Sequence, residues 1–155
     1  MIVYYKTMKS LFVNGTYRGE GRWVDQKAEG RYTALYTISE GEGDVRVHRT
    51  ERTFLRDDGE VLYEEHAQLT FVPGARNALR VTIASGDRSV SGIGYAFEDE
   101  CHYEMDLAAD NHLEFSFHAS DDTLTGVGSA TNKGNFCSWR ERLTRVRGDT
   151  KATLG

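Results

Sequence analysis

Residues 44–72 read DVRVHRTERTFLRDDGEVLYEEHAQLTFV. Two runs of alternating apolar and polar residues flank Asp57-Asp58-Gly59. A period of two sends successive side chains to opposite faces of a sheet. Asp-Asp-Gly between such runs is hairpin chemistry, because glycine takes the left-handed backbone that tight reversals need. The stretch is predicted to be a long antiparallel hairpin.

The pattern continues in both directions. Turn residues recur at Gly41-Glu42-Gly43, Pro73-Gly74, Ser85-Gly86-Asp87, Ala109-Asp110-Asn111 and Asn132-Lys133-Gly134. Strands are predicted over 11–23, 30–39, 44–56, 60–72, 78–85, 89–97, 101–108, 112–120, 122–131 and 135–147. A serial meander of that length must split into a sandwich or close to remove its edges. Each strand with its turn takes roughly 12–15 residues, more than the 8–12 usual for sandwiches. Long strands suit a tilted, closed barrel. The predicted fold is all-β: one antiparallel up-and-down barrel of about 8–10 strands over 1–155, with 1–10 and 148–155 as terminal extensions.

Composition narrows the function. The chain has 155 residues, enough for one core, with 39% hydrophobic and 28% charged residues. A net charge of −5 disfavours phosphate backbones, so nucleic acid is not an expected partner. The basic cluster Arg140, Arg142, Arg145, Arg147 and Lys151 reads as a solvated face. No segment is long enough for a membrane span, and the N-terminus lacks signal-peptide features. Cys101 and Cys137 have no metal-ligand spacing, which fits a reducing, cytoplasmic setting. Self-association as a homodimer is compatible with all of this.

Alternation then sorts the faces. The inward sets are Tyr17 and Trp23; Tyr32, Ala34, Tyr36 and Ile38; Val45, Val47, Arg49, Glu51, Thr53 and Leu55; and Val61, Tyr63, Glu65, Ala67, Leu69 and Phe71. They continue with Cys101, Tyr103, Met105 and Leu107; Leu113, Phe115 and Phe117; and Cys137, Trp139, Glu141 and Leu143. All five histidines (48, 66, 102, 112 and 118) sort outward. His48 and His66 are expected as cross-strand neighbours on an ordinary solvated face, without a metal. This sorting assumes regular pairing, since one bulged residue reverses every face beyond it.

The inner wall so drawn is apolar at its ends and charged in the middle, at Arg49, Glu51, Glu65 and Glu141. A dry core does not tolerate such groups unpaired. A cavity is therefore expected, holding a small, partly apolar molecule by a polar head group. Its candidate contacts are Arg49, Glu51, Glu65, Tyr36, Tyr63, Tyr103, Trp139 and Glu141. The alternative is a cofactor-independent enzyme of the isomerase or lyase type. There Glu51 and Glu65 would share acid–base work, with Arg49 or Tyr103 facing developing negative charge. A filled barrel acting through its outer face is a third reading, without an apolar patch to favour it. Serine-nucleophile and phosphate-loop motifs are absent.

Gly15-Thr-Tyr-Arg-Gly-Glu-Gly21 followed by Trp23 resembles the first strand of the calycin group, which contains lipocalins, fatty-acid-binding proteins and nitrobindin-like haem proteins. The resemblance implies a barrel with a ligand cavity. In the haem-binding members a histidine near the C-terminal strand ligates iron. Residues 132–147 contain no histidine, so haem is not carried over and no cofactor is expected. Independently of the resemblance, Gly15, Gly19 and Gly21 share one strand face and suit a sharp bend or a close approach.

Overall fold

A computed structural model describes residues 12–147, which form ten strands and no helix. The strands are β1 (Gly15–Asp25), β2 (Glu29–Glu40), β3 (Arg46–Leu55), β4 (Val61–Pro73) and β5 (Ala78–Ser85). They continue with β6 (Arg88–Phe97), β7 (Glu100–Ala108), β8 (Asn111–Ser120), β9 (Thr123–Asn132) and β10 (Asn135–Arg145). Each pairs antiparallel with its neighbour in sequence, and β10 returns to pair with β1. The closed up-and-down barrel is the predicted fold. The predicted extensions, 1–10 and 148–155, lie outside the described residues, as does Lys151.

Closure depends on a tight seam. A Cβ on Gly19 would lie 1.8 Å from the Arg142 carbonyl oxygen of β10, so only glycine lets the two backbones approach this closely. Gly21 serves differently: its missing side chain leaves room for the Tyr32 ring, which a Cβ would meet at 2.1 Å. The glycine face of the first strand thus positions both a seam and a site residue.

Hairpins β1–β2, β3–β4, β5–β6, β7–β8 and β9–β10 turn at one end of the barrel, and the others turn at the opposite end with Phe12. Phe12, 1% exposed, lies inside that second end among Phe71, Phe117 and His48, with ring centroids 4.9, 5.3 and 5.0 Å away. The core also holds Ile38, Leu69, Val81, Met105 and Leu143.

The inward sets of β1, β2, β7, β8 and β10 are placed as predicted, although Trp23, Leu107, Leu113, Cys137 and Trp139 are only half-buried. Strand β3 is reversed. Arg46, His48 and Thr50 are buried, whereas Arg49 and Glu51 are exposed. The cause is a bulge. Near the Asp57-Asp58-Gly59 turn, Leu55 pairs with Val61; one step further, Phe54 pairs with Tyr63. Leu62 is the unmatched residue, and it shifts the parity of β3 against β4. Regular pairing would have put the odd residues of both strands on one face, as the sequence reading assumed.

Candidate ligand cavity

The barrel encloses a cavity of about 830 Å³ that opens at the β1–β2, β3–β4 and β9–β10 hairpin end. That size falls within the range of small-molecule pockets. Aromatic and aliphatic side chains form most of the wall, with Phe71 and Phe117 deep and Trp23, Trp139 and Tyr63 towards the mouth. Phe54 stacks on Tyr63 across the β3–β4 pair, centroids 4.6 Å apart, and Phe115 stacks on Trp139 at 6.3 Å.

One polar network crosses this wall. Glu141 of β10 has a side chain only 1% exposed. Tyr32 donates its hydroxyl hydrogen to Glu141 Oε1 at 2.7 Å, and Tyr36 donates to Oε2. Arg52 Nε donates to Oε1 at 3.2 Å, Nη1 donates to Glu65 Oε1 at 3.3 Å, and Nη2 donates to the Tyr36 hydroxyl. Arg52 also lies over the Tyr36 ring, 5.4 Å from its centroid. A buried carboxylate is tolerable because an arginine and two phenols satisfy it. Burial works against the Arg52 charge, but the Glu141 and Glu65 carboxylates outweigh it and raise its pKa well above the usual value. Burial, with Glu141 nearby, pushes the Tyr32 and Tyr36 phenols upward, so they remain hydrogen-bond donors.

His48 is the deep polar group. It is 3% exposed, lines the cavity, and its Nε2 has no hydrogen-bond partner among the described residues. Burial alone lowers its pKa from 6.5 to about 3, so the ring is neutral at physiological pH.

The predicted site residues divide accordingly. Glu65, Tyr36 and Glu141 meet through Arg52, Tyr103 is buried in the adjoining wall, and Tyr63 and Trp139 stand near the mouth. Arg49 and Glu51 are outside, and Glu51 faces His66 across the sheet rather than Glu65. The Glu51–Glu65 acid–base pair therefore does not form. His48 pairs across from Leu69 and is not a neighbour of His66; their parities place them on opposite faces. Arg52 and His48 were missed because the bulge at Leu62 reversed their strand. The need of Glu141 for an inward cation did not separate the faces, because the odd face of β3 offers Arg49 as readily as the even face offers Arg52. Cys101 and Cys137 are free thiols. On the outer wall Glu104, His112 and Glu114 come within 4.8 Å of one another. A 2.8 Å contact with Asp106 raises the His112 pKa.

No family model and no curated protein matches the chain. Among solved structures the barrel is similar to Rv2717c from M. tuberculosis, with a TM-score of 0.69 at 15% identity, covering 93% of this chain and 98% of that one. At this identity the likeness shows a shared fold. A second match, an N-terminal dehydratase from the difficidin assembly line, has a TM-score of 0.29 at 10% identity over 98% of this chain and 85% of that one; it bears on neither fold nor function.

Proposed function

We propose that the protein binds a small, largely apolar molecule inside the barrel, with a neutral polar group near Arg52. The carrying observation is the cavity itself: about 830 Å³, apolar over most of its wall, with one compensated polar network. Arg52 already faces two carboxylates, Glu141 and Glu65. An anionic head group would add a third negative charge against one positive, so an uncharged hydroxyl, amide or carbonyl fits better. His48 offers an unused hydrogen-bonding nitrogen at depth, which favours a ligand with a second polar atom at its buried end. The calycin resemblance of Gly15–Gly21 supports the same container role. No cofactor enters this reading.

The test is titration with N-phenyl-1-naphthylamine, a neutral probe that fluoresces in apolar surroundings. One-to-one binding is expected, with quenching of Trp23 and Trp139. Ala67 lines the cavity, and Ala67→Trp should project an indole into it and weaken probe binding. Unchanged probe binding in a folded Ala67→Trp variant would sink the proposal, as would no binding by the wild type.

A further inference from the structure

We infer that the outer wall formed by β2, β1 and β10 binds a compact, soluble polyphosphate. Register, not sequence proximity, creates the site. Arg22 of β1 pairs directly with Arg31 of β2 on one side and with Arg140 of β10 on the other. Three guanidinium groups therefore stand in one row across three adjacent strands. The next row along carries Arg142 opposite Glu20, and the one after carries Arg18. All five arginines are exposed, and none makes an ion pair or hydrogen bond with another described side chain. They line one groove of about 780 Å³, with Glu20 as its sole outward carboxylate.

Like charges placed directly across a sheet oppose pairing. A sequence choosing fold stability alone has no use for Arg31, Arg22 and Arg140 in one row. The basic cluster seen in the sequence has meanwhile been divided. Arg145 donates to the Asn14 carbonyl at 2.8 Å and Arg147 pairs with Asp122, while Arg140 and Arg142 join the groove. Arginine presents planar, forked donors that match phosphate oxygens two at a time.

Charge sets the size of the partner. Five arginines and Glu20 give four net positive charges here, so with a total of −5 the rest of the chain carries nine net negative. The Debye length at physiological salt is about 8 Å, so a long polyanion leaving the groove meets an acidic surface. Strands lie about 4.8 Å apart, and the row of three spans roughly twice that. Two or three linked phosphates match this span.

Inorganic tripolyphosphate is the probe. Isothermal titration should show one site on the wild type, and melting should rise above that in sodium chloride of equal ionic strength. Arg22→Gln/Arg140→Gln should weaken binding at least tenfold. Because the double variant removes facing like charges, it should melt no lower than wild type without ligand. It should also bind N-phenyl-1-naphthylamine normally, which separates this site from the cavity. Sodium chloride reproducing the whole stabilisation would overturn the inference. So would equal affinity in the double variant, or tighter binding to a single-stranded oligonucleotide or to phosphatidylglycerol vesicles than to tripolyphosphate.

Discussion

Acidifying the protein from pH 7 to pH 5 is expected to remove about 2 kcal/mol of folding stability through His48 alone. The imidazole has an ordinary pKa of 6.5 and is held near 3 in the folded barrel, where burial disfavours its charged form. Between those values the unfolded chain binds a proton that the folded chain refuses. Stability from this group is therefore fully present above pH 6.5 and falls as the pH drops towards 3. Each pH unit inside the window is worth about 1.4 kcal/mol. At pH 5 the unfolded chain is 1.5 units below its pKa and the folded ring is still neutral, which gives the figure of about 2 kcal/mol. Urea unfolding at a series of pH values measures the slope. His48→Leu supplies the reference, since every other titrating group is common to both proteins. The wild-type curve should fall more steeply than that of the variant from pH 6.5 downward, and the two should run parallel above it. Nuclear magnetic resonance of the His48 ring should show a neutral imidazole at pH 5. Parallel curves across the whole range, or a ring titrating near 6.5, would refute the account of a buried histidine held neutral.

Other perturbations probe the remaining features. Arg52→Met leaves the buried Glu141 carboxylate without its arginine and should cost about 3–5 kcal/mol in urea unfolding, whereas adding Glu141→Leu should recover part of that loss. Gly19→Ala drives a Cβ to within 1.8 Å of a carbonyl oxygen and should lower stability by about 3 kcal/mol or more; Gly74→Ala, with its nearest contact at 3.6 Å, should change little by the same thermal melt. A thiol reagent should label half-buried Cys137 in the folded protein, while Cys101, 0% exposed and with its thiol pKa raised by burial, should react only on unfolding.

Much of the fold was legible because turn chemistry and alternation are local. Gly41-Glu42-Gly43, Asp57-Asp58-Gly59 and Asn132-Lys133-Gly134 each mark a reversal that the barrel contains. The site was less legible because its members are brought together by register. Glu141 reaches Tyr32 across 109 positions and Arg52 across 89, and parity decides which faces meet. One unmatched residue, Leu62, exchanged Arg49 and Glu51 for His48 and Arg52. No composition count or local motif records that exchange. Phe12, which closes the far end, falls inside the predicted strand 11–23 but precedes β1, which begins at Gly15, so its place in the core does not follow from strand alternation.

The seam between β1 and β10 also has a consequence for biosynthesis. A ribosome delivers β1 first and β10 last, so nine strands are made before the first one receives its second neighbour. Until then both ends of the sheet present unpaired backbone, and Arg52 has no Glu141 to meet. A nascent chain paused before β10 therefore offers two sticky margins and a half-satisfied polar wall. Its protection during synthesis rests on how quickly the final eleven-residue strand follows the rest.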